Sequence, residues 1–346
     1  VSGRLPGIRQ KGAPFVSNGD GEDAVPTWER LLAAVWLSLV PEIVHAGSFP
    51  AAPVTLVVTA APGGVTDLLA RALGQRVAKN WGQPIVVVNR PGASNQIGAE
   101  YVARSKPDGY TLLVSAEATF VVNPWLYSRL PYRLTDFAPI TGLVSISQSL
   151  IASPSVPANS LNELIELARQ RPGELNYGTF GIGSTGHLNM EVLQNMTGVK
   201  LVAVHYKGAT PALVDVTAGH IHMMFISTSS AVQPWKAGHL KLLAVGSNKR
   251  LSQFPEIPTI AESGLPGFEA VSWFGLFAPG GTPREIVGRI NAEVRRAFAD
   301  AEFREKFLAP NMFEPMVDSP EEFAAFIESE TRKWGQVVRS ARVRLD

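Results

Sequence analysis

Four short stretches combine glycine with small hydroxyl side chains in the way an anion site requires. They are APGGVTD (61–67), NRPGASNQIG (89–98), FGIGSTGH (180–187) and HYKGATP (205–211). Each follows a β-like run and opens a helical pattern. A helix start presents amides with no intrahelical partner and the positive end of the helix dipole. Glycine at that point lets the backbone come close to a bound group. Glycine also simply ends strands in many α/β proteins, but four such turns with Ser or Thr beside them favour binding. The chemistry on offer is capture of an anion.

The motifs that would imply conversion are incomplete. GIGSTG (181–186) fits G-x-G-x-x-G after a strand and before a helix. A dinucleotide site also needs an acid about twenty residues on, to hold the ribose. Here the next strand ends at His205-Tyr206, so an NAD-dependent enzyme is only a minor alternative. PGGVTD has no Gly-Lys-Ser/Thr after it, and neither H-E-x-x-H nor G-x-S-x-G occurs. His220 and His222 sit two apart with no further ligands placed near them, and read as structural rather than metal-binding. His187 stands at a helix start without an orienting acid, so a ligand contact or a turn role is the simpler reading. Asp67 and Glu117 both lie near strand ends; acid–base work would require that they meet, and nothing in the sequence brings them together. No catalytic residue, metal or cofactor is expected.

The elements that must position these turns alternate along the chain. Strands are predicted at 54–58, 85–88, 111–115, 149–153, 175–179, 201–205, 221–225, 241–246 and 271–278. Helices are predicted at 66–80, 95–104, 160–170, 186–197, 209–218, 229–237, 283–299, 301–308 and 319–341. Such alternation predicts an α/β architecture with mostly parallel sheets flanked by helices. Ser319, Pro320 and Glu322 form a helix-start signature for the last helix. Linker-like composition at 152–160 and 255–268 suggests two crossings between lobes, with lobe 1 as 47–152 plus 268–346 and lobe 2 as 153–267. A lobe inserted into another by two connections makes a hinge, and ligands bind between such lobes.

Composition closes off other classes. Net charge is +1 with no basic stripe, which argues against nucleic acid. There is no cysteine, so disulfides, thiolate metal sites and a cysteine-linked lipid anchor are not expected. Residues 1–27 are Gly/Pro-rich and patternless and read as a disordered tail. Within 28–46, the apolar run LLAAVWLSLV (31–40) is too short to span a bilayer but fits the core of a secretory signal, with Val44-His45-Ala46 as a cleavage site. The acids Asp20, Glu22, Asp23 and Glu29 oppose that reading unless the signal starts later, near Val25.

Several blocks together resemble the Bug family, the extracytoplasmic receptors of tripartite tricarboxylate transporters. They are APGGVTD, VVVNRPGASNQIGAEYVARSKPDGYTLL (86–113), NPWLY (123–127), ELNYGTFGIGSTGHL (174–188), VHYKGATPALVD (204–215), IPTIAESGLPGFEAVSWFGLFAPGGTP (257–283) and SPEEFAAFIESE (319–330). The resemblance covers about residues 50 to 346. It implies a periplasmic Venus-flytrap of two α/β lobes, with a small organic acid between the lobes and membrane permease subunits as partners; a monomer is expected. It also implies that backbone amides and ordered waters of the glycine turns hold the ligand carboxylate. Carried onto this chain, the first-lobe set is Gly63, Gly64, Val65 and Thr66, with Ser94, Asn95 and Thr119. The second-lobe set is Gly183, Ser184, Thr185, His187, Tyr206, Gly208 and Ala209. The same clam-shell could serve a membrane sensor kinase. The chain departs from the family pattern at Ala61, where Pro is usual, and at Val65, where small or polar residues are common. It departs also in IHMMFI (221–226), where His222 and Ile226 replace two acids. Ile226 would stand at the cleft, and an apolar residue there suggests a ligand without an amino group.

Overall fold

The chain is described by a computed structural model over residues 49–341 and 343–345. The tail and signal-like segment expected at 1–27 and 28–46 lie outside the described residues. The order opens β1 (Val54–Val58), α1 (Val65–Trp81), β2 (Ile85–Asn89), α2 (Gln96–Ala103) and β3 (Thr111–Ala116). A wide π-type turn (Ala118–Val122) and the short α3 (Asn123–Leu126) lead to the long β4 (Phe137–Ala152). There follow α4 (Leu161–Gln170), β5 (Asn176–Thr179), α5 (Thr185–Thr197), β6 (Val202–His205), α6 (Ala209–Ala218), β7 (Met223–Ser227), α7 (Thr228–Lys236) and β8 (Lys241–Val245). β9 (Val271–Pro279), α8 (Arg284–Ala299), α9 (Ala301–Phe303), β10 (Glu314–Pro315) and α10 (Pro320–Ala341) complete the chain.

The strands join in the order β2-β1-β3-β9-β4-β7-β5-β6, with β8 and β10 also paired to β4. Pairing is parallel at both outer ends, where β1 joins β2 and β3, and β5 joins β6 and β7. It is antiparallel through the centre, where β9 and β4 return against β3 and β7. The α/β class expected from the alternation holds, and the centre is mixed because β4 and β9 connect the two halves of the sheet. β4 changes partner between neighbouring residues: Ser147 is the last residue opposite β9, and Gln148 the first opposite β7.

Side chains alternate across the strands, so each half buries both faces. In the first half Leu56 and Leu112 face a core with Leu69, Leu73, Ile290 and Phe298, while Val57 and Leu113 face one with Phe120, Phe277, Phe323 and Trp334. In the second half Leu150 and Phe225 pack with Leu164, Tyr177 and Phe268, and Ile151 and Met224 with Val216, Ile226 and Leu242. α10 starts where the signature predicts: the Ser319 amide donates to Glu322 Oε2 at 2.9 Å, and the Glu322 amide donates back to Ser319 Oγ at 3.2 Å. Its Phe323 enters a slot over Gly142 and Gly275, which stand opposite each other in the β4–β9 register.

Candidate ligand-binding cleft

Four helices end their N-termini on one cavity of about 310 Å³. Val65 opens α1, Ser184 and Thr185 open α5, Ala209 opens α6, and Ser227 precedes α7. Between them the wall is completed by Ala116, Glu117 and Ala118 after β3, Ile146 and Gln148 of β4, Phe180 after β5, Ile226 of β7, and Ser272 and Phe274 of β9. Among the described residues, no lysine, arginine or histidine lines it. What the wall can offer an anion is therefore the orphan amides and dipoles of the helix starts. A second cavity, of about 410 Å³, lies across the strands, lined by Ser145, Ser147 and Val271. These are the residues that alternate with Ile146, Gln148 and Ser272, so the two cavities occupy opposite faces of β4 and β9. In the second, Arg250 is paired with Glu262 and Glu269 with Lys333.

The predicted site residues divide into those on the wall and those behind it. Val65, Ser184, Thr185, Ala209 and Ile226 are on the wall. Thr66 is the second residue of α1, 5% exposed, with its amide among the orphans of the helix start. Gly63 and Gly64 build the turn before it. The Gly63 amide is spent on Asp67 Oδ2 at 2.9 Å, and the Gly64 amide points back to Ala61 O at 3.3 Å. Gly208, at φ 122°, and Gly183, at φ 73°, hold backbone conformations that favour glycine. The Gly183 amide donates to His187 Nδ1 at 3.1 Å. His187 is 6% exposed, and burial holds its pKa below the ordinary value, so a neutral ring braces the turn from behind. Tyr206 donates to Asp215 Oδ2, which fastens it along α6. Ser94 accepts from Tyr127 through its Oγ and from Asn123 through its carbonyl, and Asn95 follows it in the left-handed region at φ 74°. Thr119 is fully buried against Ser115, with its carbonyl accepting from Tyr132.

The two carboxylates noted in the sequence have separate environments. Asp67 accepts from Arg71, Asn89 and Gly63, and these bonds, that from Arg71 foremost, hold its pKa at about 2. It locks the first glycine turn in place. Glu117 is 3% exposed and on the cavity wall. Burial pushes its pKa up to about 7 against the opposing pull of hydrogen bonds from its own amide, Ser272 and the Trp273 amide. Gln148 ties the floor together: its Nε2 donates to Thr185 Oγ1 and Ser272 Oγ, and its Oε1 accepts from Asn189. Gln148, Ser272, Phe180 and Phe274 are wall residues that the sequence reading missed. The available signal was a glutamine inside an otherwise apolar and serine-rich strand. The histidine pair is structural as expected in one member: His222 is bonded through its amide and ring to Asn176, while His220 faces Asp215 at 3.4 Å.

Known proteins share this architecture across nearly the whole folded chain. The family described as tripartite tricarboxylate transporter family receptor matches residues 69–343. BugT of Bordetella pertussis is 34% identical over 322 residues, covering 91% of this chain and 98% of that protein. The structure of Rhodopseudomonas palustris Rpa4515 with adipate superposes with a TM-score of 0.77 at 38% identity, covering 86% of this chain and 99% of that one. MatC from the same species, with bound malate, gives 0.72 at 33% identity, covering 84% and 100%. A cleft walled by helix N-termini, on a fold shared at this level of identity, places the chain in the tripartite tricarboxylate transporter receptor family, whose members are solute-binding proteins and not enzymes.

Proposed function

We propose that this protein captures a small organic carboxylate in the 310 Å³ cleft and delivers it, as a periplasmic receptor, to the membrane permease of a tripartite tricarboxylate-type transporter. The observation that carries the reading is the wall itself: four helix N-termini and no cationic side chain among the described residues. Such a wall binds a carboxylate through backbone donors and leaves the rest of the molecule to shape. Val65, Ala116, Ile146, Phe180, Ile226 and Phe274 make that remainder apolar. This supports a ligand with an aliphatic or aromatic body and no ammonium group opposite Ile226. The two lobes of the proposal are the halves of the sheet on either side of the β4 partner change, with the stretch between Gly246 and Ala270 as the second connection. Adipate and malate, bound by two relatives, are the first ligands to try.

The test is a thermal-shift screen of the full chain against adipate, malate, benzoate, aspartate and NAD. A ligand at 100 times its dissociation constant adds about 2.7 kcal/mol to stability, a clearly raised melting temperature. A rise with one of the plain carboxylates is the expected result. A rise with NAD alone would return the GIGSTG turn to a nucleotide role, and a rise with aspartate alone would reverse the inference from Ile226.

A further inference from the structure

Among the described residues that line the cleft, one is ionisable, Glu117, and its ionised form has the same sign as the proposed ligand. Glu117 is on the wall of the 310 Å³ cavity and is 3% exposed, so a ligand carboxylate placed against that part of the wall meets a carboxyl with little access to water. Its Oε2 accepts from the Trp273 amide at 3.2 Å, and Ser272 is its side-chain partner. On the elements packed around it, β4 brings the uncharged Gln148 and β9 the uncharged Ser272 and Trp273. α5 brings Thr185; its His187 is directed at Gly183, with Glu191 3.9 Å away. α10 brings Glu330, whose negative charge opposes ionisation of Glu117 and is itself partnered by Lys333 at 3.2 Å. Among the described residues, no cation acts on the carboxyl to hold two negative charges side by side. A buried carboxyl and a second carboxylate brought against it do not both ionise readily; they share a proton.

We propose that Glu117 is the proton-bearing partner of the bound ligand: a carboxylate enters as an anion, Glu117 takes up one proton from solvent as it binds, and Glu117 and the ligand carboxylate nearest it together carry a single negative charge. This rests on the carboxylate-receptor reading above. Burial already brings Glu117 close to half-protonated at neutral pH, so the uptake needs little further perturbation. The coupling makes the receptor read the charge of its cargo. A ligand presenting an ammonium to Glu117 would instead require the ionised form, and its binding would release a proton.

Isothermal titration calorimetry on the full chain, in buffers of different ionisation enthalpy, measures the proton count directly. The probes are adipate, malate and benzoate. For a probe that binds, uptake should approach about one proton per ligand at pH 8, and affinity should fall about twentyfold between pH 6.5 and 8.5. In Glu117→Gln, an uncharged mimic of the protonated acid, proton uptake should vanish, and affinity at pH 8.5 should exceed that of the wild-type protein. A wild-type complex formed without proton uptake, or with release, overturns the inference and leaves the receptor reading standing. Loss of binding in a folded Glu117→Gln protein overturns it too, because ionised Glu117 would then be the binding form. Failure of all three probes to bind at any pH overturns the receptor reading first and this inference with it.

Discussion

Glu117 shows at the level of one residue how a site and its fold compete. Placing a carboxyl on a dry wall raises its pKa from an ordinary 4.5 to about 7, which means that the native state holds a proton the unfolded chain has lost. The contribution is fully favourable below the unfolded value and is lost as pH rises through the folded one. Above pH 7 the protein therefore carries a penalty of about 3 kcal/mol at this position. Glu117→Gln should be more stable than wild type at pH 8.5 by that order, and the gap should close toward pH 4.5. Urea unfolding at the two pH values measures it, and equal gaps at both would show that Glu117 is hydrated in the native state. Asp67, the other acid near a strand end, is set the opposite way, because Arg71, Asn89 and the Gly63 amide all favour its charge. Sequence spacing placed both acids near strand ends. It could not tell them apart, because the difference lies in partners that come from β9 in one case and from α1 and β2 in the other.

At the level of elements, local chemistry was legible wherever it was self-contained. The turn-to-helix starts at 61–67, 180–187 and 205–211 are where the glycine pattern puts them, and the outer strands agree with prediction to within a residue or two. The sequence reading caught only the end of β4, at 149–153, and missed residues 137–148. That segment contains Pro139 and Gly142 and is bulged at both places against β9, so its pattern of alternation is broken twice. Tertiary packing explains the break. Gly142 and Gly275 face each other to admit Phe323 of α10, and a Cβ on Gly275 would stand 2.5 Å from Phe323 Cζ. Phe323→Ala should cost about 3–5 kcal/mol by opening a cavity. Gly275→Ala should cost about 1–3 kcal/mol by overfilling the slot. The double variant should lose clearly less than the sum, since the new methyl enters the space the ring has left. Additive losses in chemical denaturation would separate the glycine from the ring of α10 and make Phe277, whose Cε2 would stand 2.8 Å from the same Cβ, the reason for Gly275.

For the whole molecule, ligand capture is coupled to presentation only if the halves of the sheet move against each other. The described residues pack as one unit, and among them no helix is long and apolar enough to cross a membrane. The cleft wall draws Val65 and Ala116–Ala118 from the first half and Phe180, Ser184, Thr185, Ala209, Ile226 and Ser227 from the second. A ligand can only drive closure by binding the closed form better, which requires contacts with both sets at once. Moving an equilibrium from 1:99 to 99:1 takes about 5.5 kcal/mol of differential affinity. A micromolar ligand has about 8 kcal/mol in total, so most of its binding energy would be committed to closure. A carboxylate that fills only one set of helix N-termini would have no such surplus. Small-angle X-ray scattering of the full chain should therefore show a smaller radius of gyration with saturating adipate or whichever longer carboxylate binds. Acetate, bound at high concentration by the same amides, should leave the radius unchanged. Equal compaction by both would mean that carboxylate capture at one set of amides suffices to close the cleft. No compaction by either would mean that the 310 Å³ space is already in its binding form, and that the ligand is presented to the membrane by a surface that does not move.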